Sequence, residues 1–411
     1  MLSTTTLKNR APSNSSLSVP QELIEYILEF LHDDVPTLRT CSLVSHAFLP
    51  CSRRYIYSSV TIVHVNEWDL FRERYAGQLY RWQNIVALLE HSPHVAQLVT
   101  RFGMRSMVQD ALMDTSLLTI ISSLHNLSHI ELIAYHTEED SWDEFPVVTS
   151  KPFLAALRSV PLKTFIVRAV VLESQEQFEA LFTAAVNPAL KHLSLICDTG
   201  ATWTTPYPPI RPPLSGLPAL ESLCIAGYGA ASNTSWPFFS QSLYDIRGIR
   251  HLSLQLFDDA AVSSVQRLLN VMQGTLESLT LDIGAWIVPP ISLDLSGHRK
   301  LLSIFTILTF PLDPRFLIIP LTPTLRTLTV EQVCNNRQHN SRPPARAWAE
   351  FDAHLDQLAL QRVHVRLHEK FDQWKHQVED AMPSLKSKGI LEVEVVRQRY
   401  CVPRASTGLL L

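Results

Sequence analysis

The residues that could do chemistry in this 411-residue chain are spread along it rather than gathered into a motif. It contains no GxSxG nucleophile elbow, no P-loop and no HExxH metal motif. The best-spaced pair is His364 and His368, which would share one face of a helix and could hold a metal ion there. The segment around them, LQRVHVRLHE, instead alternates like a strand, which would place the two imidazoles roughly 13 Å apart. We therefore predict no metal-binding, cofactor-binding or catalytic residues, although a triad assembled from distant residues would leave no such motif.

The cysteines favour reduced thiols over a disulfide framework or a metal site. None of the six belongs to a CxxC pair, and six are few for a chain of this length. We expect a cytoplasmic or nuclear protein, where thiols stay reduced. The six are Cys41, Cys51, Cys197, Cys224, Cys334 and Cys401.

Charge and hydropathy give no reason to expect nucleic acid or a membrane as a partner. The formal net charge is -4, from 35 Lys plus Arg and 39 Asp plus Glu. The N-terminal residues MLSTTTLKNRAPSNSS lack the apolar segment of a secretory signal. The most apolar stretch, 301–321, is interrupted by Pro311 and Pro314 after about ten residues, which is too short to span a bilayer.

A short phrase recurs along most of the chain, every 23 to 35 residues: apolar, two residues, apolar, one residue, apolar. Each copy ends in the alternation of a strand with one buried face. No single copy can bury its apolar triad, whereas stacked copies can, so the pattern predicts a solenoid of repeats. We place the copies at Val95, Leu127, Leu162, Leu190, Leu220, Ile249, Leu276, Leu302 (with Phe305 and Ile307), Leu325 and Leu360.

Helical patterns lie between some of these strands. Residues 259–274 place Val262, Val265, Leu268 and Met272 on one face, and residues 173–186 show a similar stripe. Strand plus helix in each unit describes an α/β leucine-rich-repeat solenoid, with parallel strands on one face and helices on the other. The Asn or Cys that usually follows the strand in such repeats is mostly missing, so we expect an irregular solenoid. A doubly wound sheet would also alternate strand and helix, but it does not require the same phrase in every strand.

The N-terminal segment 17–60 predicts three short helices. Leu23, Ile27 and Leu31 recur at helical spacing behind Pro20. Asp34 is a suitable cap for a second helix, and a third should run through SHAFLPCSRRYIY, disturbed near Pro50. About forty residues bury too little apolar surface to be stable alone, so another surface must cover part of this module.

This segment resembles the F-box, a helical motif that docks onto the Skp-type adaptor of cullin-RING ubiquitin ligases. The resemblance rests on Val19-Pro20, the helix ELIEYILEFL, the turn HDD and the stretch CSLVSHAF. Val19 stands where the family usually has Leu, and Phe48 where it usually has Trp. With the repeats, most of the chain is similar to F-box proteins with degenerate leucine-rich repeats, which are abundant in basidiomycete fungi. The resemblance implies an adaptor-binding set of Pro20, Leu23, Ile24, Ile27, Leu28, Leu31, Leu43, Val44 and Phe48, some of which must face inward instead.

The sequence thus predicts a tail (1–16, disordered), an F-box (17–60), a solenoid (61–400) and a C-terminal tail (401–411). The function that the resemblance implies is a non-catalytic substrate receptor of an SCF-type ligase: the F-box binds the adaptor, and through it the cullin-RING ligase, while the solenoid binds an unknown substrate protein. Two alternatives stay open. One is a repeat scaffold with no ligase, in which the N-terminal helices merely cap the repeats. The other is an enzyme with its active site on the sheet.

Overall fold

The computed structural model describes residues 19–63, 79–80, 82–106, 115–134, 151–171, 180–181, 183–198, 217–226, 244–256, 259–283, 293–308, 314, 320–332 and 345–396. Both predicted tails and most of the predicted helix at 173–186 lie outside these residues.

The fold is α/β, built on one thirteen-stranded sheet in which every strand pair is parallel. From β3 onward each strand pairs with the next one in the chain, whereas β2 lies outside β1 at the N-terminal edge. This sequential order is that of a solenoid, and it confirms the predicted parallel strands. The strands are β1 (Ser59–Val63), β2 (Leu79–Tyr80), β3 (Arg101–Ser106), β4 (His129–Ala134), β5 (Thr164–Val171), β6 (His192–Asp198), β7 (Ser222–Ala226), β8 (His251–Leu256), β9 (Ser278–Ile283), β10 (Ser303–Leu308), β11 (Thr327–Gln332), β12 (Arg362–His368) and β13 (Leu391–Val396).

The helices fall into an N-terminal group of three and a set that follows individual strands. The helix predicted over 259–274 is confirmed as α7, whose apolar face is buried as expected. The described helices are α1 (Gln21–Glu29), α2 (Val35–Val44), α3 (Leu49–Ser58), α4 (Trp82–His91), α5 (Thr115–Ser123), α6 (Lys151–Ser159), α7 (Asp259–Val271), α8 (Ala345–Leu355), α9 (Lys375–Ala381) and α10 (Pro383–Ser387), with 3₁₀ helices at Pro93–Gln97 and Glu369–Trp374.

The prediction for the third helix was wrong at its N-terminus. The helix does not run from Ser45 through a disturbance at Pro50; it begins at Leu49, with Pro50 in its first turn. Proline is well accommodated there, because the first N–H groups of a helix have no intrahelical partner.

The repeat phrase marks the core, because its three apolar positions face the helices and form one continuous buried cluster with them. In β6, for example, Leu190, Leu193 and Leu195 are buried. Two copies were misplaced. The phrase predicted at Val95 lies in a 3₁₀ helix, and the triad of β3 is Val99, Phe102 and Met104.

The copy predicted at Leu302 is shifted by one residue. Leu302 is 43% exposed, while Leu301, Ile304 and Thr306 occupy the buried positions of β10. The prediction was misled because Leu301 and Leu302 are adjacent and because the third buried position is occupied by the polar residue Thr306. Thr306 is fully buried, and its hydroxyl has no hydrogen-bond partner.

A backbone ladder joins successive repeats where regular repeats would use an Asn. In each of these repeats, the accepting carbonyl oxygen belongs to the residue two positions before the second apolar residue of the phrase. It accepts hydrogen bonds from two backbone N–H groups of the next repeat. The Lys163 oxygen, for instance, accepts from the amides of Lys191 and His192 at 2.9 and 3.0 Å. The same double acceptance recurs at Thr100, Ser128, Lys191, Glu221, Arg250, Glu277, Leu302 and Arg326. These bonds satisfy turn backbone groups directly. Asn126 and Asn187 add side-chain hydrogen bonds to turn carbonyl oxygens of the preceding repeat, those of Gln97 and Val160, at 2.7 and 2.8 Å.

The C-terminal end of the sheet is closed by packed helices. The buried carboxylate of Asp352 on α8 accepts hydrogen bonds from the amides of Ser384 and Leu385, at 2.9 and 3.0 Å, and so caps α10. Gly389, with φ of +70°, then makes the left-handed turn into β13.

Candidate functional site

The nine residues predicted to bind an adaptor divide into inward and outward groups. Ile24 and Leu28 are buried with Leu38, Cys51 and Ile56 in a small core of their own. Leu31 and Phe48 are partly buried against that core. The other five face solvent: Pro20, Leu23, Ile27, Leu43 and Val44.

Helix α1 exposes one apolar face while it buries another. Its inward residues are Ile24, Leu28 and, just beyond the helix, Leu31, which share one side at helical spacing. Leu23 and Ile27 lie one position earlier, about 100° around the helix, and are 52% and 48% exposed. A surface helix normally carries polar residues at such positions, so the second face lacks a partner.

Three further residues, which were not in the predicted adaptor-binding set, enlarge this exposed face. Val19, Tyr26 and Phe30 are 52%, 59% and 71% exposed. The rings of Tyr26 and Phe30 meet edge to face, with centroids 4.9 Å apart. We refer to Val19, Leu23, Tyr26, Ile27 and Phe30 together as the α1 patch. Val19, Tyr26 and Phe30 lie four positions before, three after and seven after Leu23. This helical spacing places them on the same side as Leu23 and could have identified them from the sequence.

A second apolar surface lies at the C-terminal end of α2. Leu43 and Val44 are 86% and 68% exposed.

Asp34 caps the N-terminus of α2. Its carboxylate accepts hydrogen bonds from the amide and the hydroxyl of Thr37 at 3.1 and 2.7 Å. The side-chain bond from Thr37 lowers the pKa of Asp34, so the cap carries its negative charge beside the helix N-terminus. The predicted cap is therefore confirmed.

Helix α3 joins the three-helix module to the sheet without a linker. The helix ends at Ser58, and β1 begins at Ser59. The Ser58 carbonyl oxygen accepts hydrogen bonds from the amide and hydroxyl of Thr100, at 2.9 and 3.2 Å. The end of α3 thus stands at the first rung of the inter-repeat ladder, which fixes the module against the repeats.

Cys51 on α3 belongs to the structure of the module rather than to a nucleophilic site. Its Sγ receives a hydrogen bond from Gln21 Nε2 at 3.0 Å and lies 3.7 Å from Glu25 Oε1. Burial, followed by the charge of Glu25, raises the pKa of the thiol. A raised pKa keeps sulfur in the unreactive protonated form.

The face of the sheet opposite the helices, here called the outer face, is the other candidate surface. Its middle carries small side chains that are buried, such as Ser194, Ser222, Cys224 and Ser253. Its two ends are charged. Arg168 on β5 lies 3.6 Å from Glu131 on β4, and Arg366 on β12 pairs with Glu331 on β11. Polar residues of mixed sign suit a protein ligand better than a polyanion.

Histidines occupy the first outer-face position of β4, β6 and β8, at His129, His192 and His251. Burial lowers the pKa of His129 to about 4, and the nearby cations Arg101, His192 and Arg168 act in the same direction. Burial also lowers the pKa of His192. The imidazoles of His129 and His192 are therefore neutral at pH 7.

Two features bear on ligand binding. An open groove of about 370 Å³ lies between α4 and α5, with a lining that is mainly apolar and contains the ionisable residues Glu90 and His125. The metal-ligating groups that the described residues bring together are His364, Glu392 and Glu394, at the C-terminal end of the outer face. His364 and His368 both lie on β12, as the strand interpretation predicted.

No protein-family model matches the chain, and no curated protein matches it. In the part of the chain that the structure describes, no helix is long and apolar enough to cross a membrane.

Proposed function

We propose that this protein is an F-box protein with degenerate leucine-rich repeats, acting as a substrate-recognition subunit of an SCF-type ubiquitin ligase. The observation that carries the proposal is the α1 patch: five exposed apolar residues on and directly beside a helix whose sequence resembles the F-box. Contiguous apolar surface on a soluble protein marks an interaction site more often than it occurs by chance. The occupant is the Skp-type adaptor.

The division of the module's apolar residues supports this role. A helix that merely capped the repeats would bury its apolar residues or replace them with polar ones. Here the small core is formed by Ile24 and Leu28 with their neighbours, and the fold leaves about half of the Leu23 and Ile27 surface exposed. Burying an apolar side chain fully contributes roughly 1.5–3 kcal/mol, so several half-exposed ones give a partner ample binding free energy.

Two departures from the family pattern have different places in the structure. Phe48, where Trp is usual, packs against the small core, and its bulk is retained there. Val19, where Leu is usual, is exposed at the edge of the α1 patch, so it is the residue whose smaller size weakens adaptor contact most directly.

The solenoid is the substrate-binding part in this proposal. Its chain would do no bond chemistry: the ligase works by bringing an acceptor lysine close to a charged conjugating enzyme carried elsewhere in the complex. The direct fusion of α3 to β1 favours this role, since it holds any protein bound on the sheet at a fixed position relative to the adaptor.

The test is co-expression of the full chain with a Skp-type adaptor, followed by size-exclusion chromatography. We expect the native chain to co-elute with the adaptor and the variant Leu23→Asp/Ile27→Asp to elute free. Both substituted side chains are about half exposed, so the variant should fold. An ion placed in an apolar contact must be desolvated, which lowers affinity by several orders of magnitude.

The matched control is Val271→Asp on α7, which changes an apolar residue of similar exposure, 43%, outside the module. It should co-elute like the native chain. If the native protein is folded and stays free of adaptor, the ligase function is wrong and the chain is a repeat scaffold. If both aspartate variants lose the adaptor equally, the α1 patch is not its binding site.

A further inference from the structure

The C-terminal end of the outer face brings three metal-ligating side chains together across the last two strands. His364 on β12 is the direct cross-strand neighbour of Glu392 on β13, and Glu394 lies two residues further along the same face. One ligand atom from each of the three lies within 4.8 Å of the other two. We propose that His364, Glu392 and Glu394 form a binding site for a zinc ion. This proposal does not rest on the proposed ligase function.

The histidine is oriented for this role. Its side chain is only 14% exposed, and its Nε2 lies 2.8 Å from a carboxylate oxygen of Glu394. That nitrogen is buried, and the group it contacts is the carboxylate of Glu394. When Nε2 carries no proton, imidazole and carboxylate present lone pairs to each other. A cation between the imidazole and the two carboxylates then satisfies all three groups.

The spacing is close to what zinc needs. Zinc binds nitrogen and carboxylate oxygen at roughly 2.0–2.2 Å, so two ligand atoms in a tetrahedral site lie roughly 3.4 Å apart. Small rotations of Glu392 and Glu394, which are 49% and 43% exposed, close the remaining gap. The mixed imidazole and carboxylate set favours zinc over calcium or magnesium, which prefer oxygen ligands alone.

Two arginines lie beside the site and leave room for the ion. Arg362 donates from Nε and a terminal nitrogen to the same oxygen of Glu392, Oε2, so its bonds do not occupy Oε1. Arg366 pairs mainly with Glu331 and lies 4.0 Å from Glu394. A ligating carboxylate is commonly held by an outer hydrogen bond of this kind.

Zinc in this position would tie the last strand to the sheet. Among the strands that the structure describes, β13 is the edge strand and pairs with β12. An ion that bridges the two strands stabilises the folded state by mass action, because the unfolded chain does not preform the site. The alternative is an ion-pair network without metal. In that case the same residues stabilise the pairing of β13 with β12 by their charges alone.

The test is isothermal titration of zinc chloride into the full chain, stripped of metal with EDTA and free of any histidine tag. We expect one saturable site per chain and a rise in Tm of about 2–5 °C when zinc is in large excess over its Kd. His364→Gln and Glu394→Gln should each weaken binding more than 10-fold, the lower end of what loss of even an outer partner does. Calcium chloride should give no comparable site, since the imidazole contributes nothing to it.

The matched control is His376→Gln/Glu379→Gln, which removes another histidine–glutamate pair, on α9, with atoms 3.5 Å apart. Its zinc affinity should equal that of the native chain. The proposal is overturned if the native chain shows no saturable site, if both ligand variants bind zinc as tightly as the native chain, or if the control loses as much affinity as they do. Glu394 is 43% exposed at the sheet edge, so Glu394→Gln gives a folded test even if His364→Gln does not.

Discussion

At the residue scale, Thr306 is the clearest local conflict between sequence and fold. It occupies an apolar position of the repeat, fully buried, and its hydroxyl lacks a hydrogen-bond partner. An unsatisfied buried polar group costs roughly 1–3 kcal/mol. We expect Thr306→Val, which keeps the shape and removes the hydroxyl, to raise the free energy of unfolding by about 1 kcal/mol in urea denaturation.

At Thr322 the same substitution, Thr to Val, should have the opposite effect on stability. It is also fully buried, but its hydroxyl lies 2.9 Å from the hydroxyl of Thr324. Thr322→Val should therefore lower stability by about 1 kcal/mol, because it leaves that partner with one bond fewer. Equal effects of the two substitutions would show that the hydroxyl of Thr306 is satisfied after all.

Thr306 also explains why the sequence predicted the wrong alternation in β10. The repeat phrase predicts a triad well when its three positions are apolar and its neighbours are polar, as in LKHLSL. In LLSIFTI the doublet Leu301–Leu302 and the apolar Phe305 offer a second alternation, shifted by one residue. Only the pairing of β10 with β9 and β11 settles the choice, and cross-strand register is not visible in a single sequence.

At the element scale, the histidines at the first outer-face position of β4 and β6 make the sheet sensitive to acid. The pKa of His129 is lowered to about 4 by burial, and that of His192 is lowered by burial too. In the unfolded chain a histidine has a pKa near 6.5, so between these values the unfolded state binds more protons. Stability is therefore complete above about pH 6.5 and falls as the pH drops towards 4.

This dependence can be measured by urea unfolding at pH 7 and pH 5. His129 alone should account for about 2 kcal/mol of lost stability at pH 5, so His129→Gln should make the loss smaller by that amount. An unaltered slope in His129→Gln would mean that this imidazole is not buried in solution.

Elements differ in how much of their role could be predicted. The existence of ten repeat strands followed from one phrase, whereas β1, β2 and β13 lack a clear copy and were not identified. The candidate binding surfaces were harder to predict from the sequence than the strands. Helix α1 is apolar on two sides, so its sequence alone does not separate the face that packs from the face that is exposed. The proposed zinc ligands are about thirty positions apart in the sequence, and only strand register brings them together.

At the scale of the whole molecule, the helical module has a core separate from that of the sheet, which predicts two levels of stability. One continuous cluster runs from Val60 on β1 to Val393 on β13, and the small core of the helical module is not part of it. In a solenoid each repeat is supported by its neighbours, whereas the module rests on five buried residues and its junction with β1. Local unfolding free energies follow such differences in burial.

We therefore expect hydrogen exchange, followed by mass spectrometry, to show amides of α1 and α2 exchanging well before those of the central strands β6 to β9. Ile24→Ala, which removes buried atoms from the small core, should speed exchange in the module alone. Leu254→Ala, which makes a comparable cavity in β8, should act on the strands and leave α1 unchanged. Simultaneous exchange of module and sheet in the native chain would mean that they unfold as one unit. Binding of a protein to the α1 patch should slow exchange in α1 first, because that helix gains the partner its exposed face lacks.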